Sequence, residues 1–183
     1  MKEIIPASER YTKIHYRVTY NTKLLLIGAN PSPGTYRRRI PFSNNKTLWY
    51  LLHDAGLIDE DRTILRDDKQ LKQLYEKKFT QVYQLGLMNI ASRPTKAFNE
   101  IKKEEAIPNA MRIVQAIKKY RPLVVCFIGK RTYQLFAQKS SCKYGWHPSI
   151  DSTKVYVMHT PLHGLARVRV NELKEVGKAA GLL

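Results

Sequence analysis

Leu24-Leu25-Leu26-Ile27-Gly28-Ala29-Asn30-Pro31-Ser32-Pro33-Gly34 is an apolar run that breaks abruptly into a loop carrying a single amide side chain. A buried strand that ends in this way puts Asn30 at the carboxyl edge of a sheet, where open α/β folds bind their ligands. Gly28, Pro31 and Gly34 let the backbone turn tightly and bring its N–H groups close to a ligand. No Lys-Ser or Lys-Thr pair follows at the spacing a phosphate-cradling loop requires, so the chemistry of the loop rests on Asn30 itself.

Working outward, residues 23–29, 85–91, 123–129 and 155–160 have the aliphatic and β-branched density of strands buried on both faces. Helical patterns lie between and after them, at 47–55 ending at Gly56, 69–78, 103–120 ending before Arg121-Pro122, 131–138, and 170–180 with Gly181 as a stop. Strands alternating with helices imply a parallel sheet with helices on both faces. The expected fold is therefore α/β, a three-layer α/β/α sandwich around a four-stranded, mainly parallel sheet. The 183 residues suit one domain, 1–183, with residues 1–20 as a basic, aromatic N-terminal arm.

The charge balance is extreme, 32 Lys and Arg against 15 Asp and Glu for a net +17. Such a surplus favours a polyanionic partner, nucleic acid before a membrane surface. No stretch of 18 or more apolar residues exists, and Met1 to Arg10 lacks the apolar segment of a secretory signal, so a soluble, intracellular protein is expected. Cys126 sits inside an apolar run and reads as a reduced core thiol. Two cysteines cannot ligate an iron–sulfur cluster and no zinc spacing is present, so neither a metal nor another cofactor is expected.

The loops 30–42, 89–95 and 159–167 would converge at one sheet edge. They supply the amides Asn30 and Asn89, the aromatic face of Phe42, and His159 and His163 as donors to developing negative charge. Arg37-Arg38-Arg39 and Arg167-Val168-Arg169 flank them with cations suited to phosphates. None of the three loops contains a carboxylate. Sugar hydrolysis with paired carboxyl groups and phosphoryl transfer on acidic metal ligands are thereby disfavoured. A reaction whose leaving group departs as a stabilised anion remains, and cleavage of the bond between uracil and deoxyribose is one: an amide carbonyl positions the water.

Gly28-Ala29-Asn30-Pro31, followed by Pro41-Phe42, Leu48-Trp49 and Ala55-Gly56-Leu57, resembles the first signature of the mismatch-specific uracil/thymine DNA glycosylases, a branch of the uracil-DNA glycosylase superfamily. Gly86-Leu87-Met88-Asn89-Ile90 with Arg93-Pro94-Thr95 is similar to the second strand and loop of that family. Tyr120-Arg121-Pro122 leading into Val125-Cys126-Phe127-Ile128-Gly129-Lys130 is similar to its third. The stretch from Val157-Met158 through Pro161 to Gly164-Leu165-Ala166-Arg167 falls where the family has its Asn-Pro-Ser-Gly loop.

The resemblance implies a monofunctional, monomeric repair enzyme that acts on double-stranded DNA containing uracil or mismatches and leaves an abasic site. By the same resemblance Asn30 positions the water and Phe42 stacks on the extruded base. Backbone N–H groups near Ala29 and Phe42 read the pyrimidine edge, and Gly164, Leu165 and Arg167 form the wedge that fills the vacated space. From their own chemistry and their place beside the expected pocket, Asn89 is expected as a further base-binding amide, and His163 and Arg37-Arg38-Arg39 as contacts to the DNA. Extrusion costs least at a mispair, and an apolar wedge with phosphate clamps offsets it.

Two departures matter. Ser32 stands where the family usually has Gly, at the C5 edge of the base, so uracil is favoured over thymine and G·U pairs over G·T. The segment 159–164 partly resembles the His-Pro-Ser-Pro loop of other branches, so His159 or His163 would donate to the leaving uracil. Each residue also has a plainer reading: Asn before Pro ordinarily holds a turn, Phe42 fills a core, and Trp49 packs. Two rival functions stay open, a basic nucleic-acid-binding protein that keeps the fold without the chemistry, and a glycosylase for another base such as hypoxanthine.

Overall fold

The computed structural model describes Ile14 and residues 16–183. Most of the expected N-terminal arm lies outside the described residues. Four apolar runs form the parallel strands β1 (Leu24–Gly28), β2 (Leu85–Asn89), β3 (Val124–Ile128) and β5 (Thr153–Met158). A fifth strand, β4 (Gly145–Ile150), pairs antiparallel with β5, and the order across the sheet is β2-β1-β3-β5-β4. The expectation of four strands is corrected to five. Strand β4 escaped the sequence pattern because it is an edge strand without an apolar run. It carries Pro148 inside a register shift between His147 and Ile150, the kind of place where a sheet tolerates proline.

Strict alternation along the parallel strands divides the core. Leu24, Leu26, Val124, Cys126, Tyr156 and Met158 face one side, where they pack with α2 (Thr47–Asp54), α4 (Asp68–Lys77) and α7 (Ala166–Ala179). Leu25, Ile27, Val125, Phe127, Val155 and Val157 face the other, against α5 (Lys103–Tyr120) and the neighbouring Tyr133 of α6 (Lys130–Ala137). The result is an α/β/α sandwich. Cys126 is fully buried and burial raises its thiol pKa, which keeps it protonated and inert.

Two short helices were not expected, α1 (Pro33–Arg38) and α3 (Arg62–Arg66). Helix α1 carries its own start signal, with Pro33 at its first position and the Ser32 hydroxyl accepting from Thr35 N at 3.2 Å. Helix α7 begins four residues before the expected 170, so Arg167 lies in its first turn rather than in the preceding loop.

The connection from β1 leads to β2 on one side, and that from β3 leads to β5 on the other. The sheet therefore reverses its winding between β1 and β3, and a crevice opens beyond their carboxyl ends. No described helix is long and apolar enough to cross a membrane.

Candidate active site

The crevice is a cleft of about 390 Å³ whose walls include Ala29, Asn30, Ser32, Phe42, Asn89 and Thr160. Parallel pairing sets Gly28 opposite Asn89, which brings the loop after β1 and the end of β2 to one place. Among the described residues no Asp or Glu lines the cleft.

Asn30 is held by a residue the sequence reading left without a role. Its Nδ2 donates to Thr95 Oγ1 and, at 3.2 Å, to the Thr95 carbonyl. A carbonyl only accepts, so the amide nitrogen must be the end turned toward Thr95. Among the described residues no donor reaches Asn30 Oδ1, and the carbonyl end stays available to a ligand or a water. Thr95 is itself buried, with its N–H on the Pro31 carbonyl at 3.1 Å.

Asn89 is arranged in the same sense. Its Nδ2 donates to the Tyr16 hydroxyl at 2.7 Å, while Oδ1 is buried without a partner among the described residues. Burial raises the pKa of Tyr16, which therefore remains a neutral phenol. Arg112 of α5 donates to the Asn89 carbonyl at 3.1 Å and fixes the end of β2. A buried acceptor without a donor costs about 1–3 kcal/mol, and a ligand N–H that reached Oδ1 would relieve that cost.

Phe42 has φ of 53°, a left-handed conformation that costs a bulky side chain on the order of 1–3 kcal/mol. The preceding turn is anchored by Trp49 Nε1, which donates to the Pro41 carbonyl at 2.8 Å. Trp49 is thus a packing residue, as its sequence setting suggested. The Phe42 ring lies against the backbone of Gly28, where no side chain stands in its way.

His159 is not part of the cleft wall, although Thr160, Pro161 and Leu162 are. Its Nδ1 lies 2.8 Å from Glu172 Oε1, and its backbone N–H donates to Glu172 Oε2 at 3.1 Å. The ring stacks on Tyr144 with centroids 3.6 Å apart, and Lys130 Nζ lies 4.3 Å over the Tyr144 ring. The carboxylate comes from α7, outside the three loops, and only the fold brings it to the histidine. His163 is exposed on the same loop.

That loop ends in two exposed leucines, Leu162 at 59% and Leu165 at 60%. Arg169 ties it down from beneath: this buried guanidinium donates to the carbonyls of Thr160 and Leu165, each at 2.7 Å. Gly164 at φ 83° passes directly over it. Leu162 escaped the sequence reading because its wall position is set by the fold. Helix α7 starts with no capping side chain and with Arg167 in its first turn, a positive end suited to phosphate. Arg37, Arg38 and Arg39 are exposed at the end of α1, and Arg38 pairs with Asp68 at 3.1 Å.

A family model for the uracil DNA glycosylase superfamily matches residues 15–176, which spans every element of this site. The chain belongs to the uracil DNA glycosylase superfamily. Its members are in general DNA glycosylases, hydrolases that act on DNA. In this superfamily member the cleft combines the amide acceptors of Asn30 and Asn89, the aromatic rings of Phe42 and Phe98 and a cationic rim, with an apolar loop standing at its mouth.

Proposed function

We propose that the protein removes uracil from DNA as a monofunctional glycosylase of the mismatch-specific branch, acting on G·U pairs before G·T pairs and leaving an abasic site. The observation that carries this reading is the orientation of Asn30. With Nδ2 committed to Thr95, the free Oδ1 can accept from a water and hold it for attack on the anomeric carbon. Among the described residues no carboxylate lines the cleft to act as a general base. The bond must therefore weaken by departure of a stabilised base anion, and uracil supplies one.

Asn89 Oδ1 supports the choice of base. It can accept from N3–H of uracil or thymine but would face a lone pair at N3 of cytosine. Phe42 offers the stacking face, and Leu162 and Leu165 are apolar side chains free to enter the duplex as the base leaves it. Ser32, whose hydroxyl is engaged in capping α1, adds bulk to the cleft wall where thymine would bring a methyl group. One wedge loop and one cleft serve one lesion, so a monomer with a single domain suffices.

The test is base release from end-labelled duplexes carrying G·U, A·U or G·T and from single-stranded uracil DNA, with EDTA present and alkali cleavage of the product. Uracil release that disappears in Asn30→Ala while DNA binding persists is the expected result. Salt-sensitive binding with no release from any of these substrates would overturn it, and inosine duplexes would then test the hypoxanthine reading.

A further inference from the structure

A second groove lies between α5 and α6, about 660 Å³ in volume. Its floor is apolar, formed by Phe98, Ile107 and Leu135, and Ile107 is 42% exposed. Its rim carries Lys103, Arg131 and Lys139, with no Asp or Glu in the lining among the described residues. Among the described residues none of these three cations is in an ion pair, and the nearby Glu105 is bound to Arg93 at 2.8 Å. The Arg131 guanidinium sits 5.6 Å above the Phe98 ring. Phe98 is also a wall of the cleft, so groove and cleft are continuous across one aromatic side chain.

We propose that this groove holds an unpaired, single-stranded continuation of the DNA strand whose base enters the cleft. The inference rests on the reading of the cleft as a site for an extruded nucleotide. Charge complementarity selects a polyanion. The apolar floor selects unpaired bases, because a duplex presents phosphates and keeps its bases stacked inside. The Arg131 guanidinium held against the Phe98 ring offers a flat cationic surface on which a base can stack, and Lys103 and Lys139 line the groove where a backbone leaving it needs counter-charge. Continuity through Phe98 favours the same strand over a separate acidic partner.

The experiment uses fluorescence anisotropy with the full chain and a short G·U duplex whose uracil nucleotide carries a 2′-fluoro group, which resists hydrolysis. Binding is compared for the blunt duplex, for the same duplex with a single-stranded extension on the 5′ or 3′ side of the uracil strand, and for the extension made double-stranded. One single-stranded extension should tighten binding about tenfold, the worth of roughly one stacked base. The exposed double variant Arg131→Ala with Lys139→Ala should lose that gain. Its affinity for the blunt duplex should change less than about twofold, and its salt slope should fall by roughly 0.7 for each phosphate contact removed.

No gain from either extension, an equal gain from the double-stranded one, or a gain that survives in the double variant would overturn the proposal. Uracil release from an unmodified blunt duplex is measured in parallel. If the extension gain is present and release absent, the groove stands and the glycosylase reading falls; the opposite pattern separates them the other way.

Discussion

Gly28 and Asn89 face each other across β1 and β2 so closely that a methyl group on Gly28 would lie 2.4 Å from Asn89 Oδ1 and 2.7 Å from Phe42 Cζ. The absence of one carbon lets the Asn89 amide and the Phe42 ring share a wall of the cleft. Gly28→Ala should displace both. Base release should fall by about 100-fold or more, the typical effect of moving a site by an ångström, while overpacking lowers stability by about 1–3 kcal/mol. Single-turnover kinetics and thermal melting separate the two effects. Wild-type activity in the variant would show that the geometry of Asn89 and Phe42 is irrelevant to catalysis.

Thr95 holds Asn30 by its amide nitrogen and leaves the carbonyl end free. Thr95→Val deletes the hydroxyl that accepts from Nδ2 and leaves the carbonyls of Thr95 at 3.2 Å and Pro31 at 3.5 Å as its acceptors. The expected loss is about fivefold in kcat, equivalent to one net hydrogen bond of about 1 kcal/mol, with DNA affinity unchanged. Thr95→Ser should recover it. A fall in affinity with kcat intact would assign Thr95 to binding instead.

Arg169 holds the leucine loop by two carbonyl contacts and has no carboxylate partner among the described residues. Arg169→Met keeps the volume and removes both bonds. Stability should drop by about 2 kcal/mol or more, since hydrogen bonds from charged groups are the stronger ones. Limited proteolysis within residues 160–165 should accelerate, and affinity for a mispaired duplex should weaken more than for a matched one. Equal weakening on both would mean that the loop contributes only phosphate contacts.

Away from the site, Glu60 gives the protein an acid-sensitive support. Burial raises its pKa, but hydrogen bonds from Lys78 at 2.8 Å and Tyr83 at 2.6 Å outweigh burial and hold the carboxyl below its usual 4.5. A carboxylate with a depressed folded-state pKa contributes stability that is present above its unfolded pKa and is lost as pH falls through the folded one. Melting temperature should therefore decline as pH drops below about 4.5, and Glu60→Gln should flatten that part of the profile. An unchanged slope in the variant would place the acid sensitivity in other carboxylates.

The sequence by itself determined the layered architecture. Runs such as Leu24-Leu25-Leu26-Ile27 can be buried on both faces only inside a parallel sheet, and the helix at Lys103–Tyr120 matched its expected limits because a long amphipathic period and Arg121-Pro122 left no other boundary. The identity of the cleft residues was legible for the same reason: a strand end followed by Asn30 or Asn89 marks the carboxyl edge whatever the helices do. Tertiary structure decided what those residues can do. The hold of Thr95 on Asn30, of Tyr16 on Asn89 and of Glu172 on His159 joins positions 65, 73 and 13 apart in the chain. Hydrogen bonds over such separations leave no local period or spacing to read. The short helix α1 and the polar edge strand β4 escaped for a related reason: each depends on one capping contact or on one neighbouring strand rather than on a repeating apolar pattern.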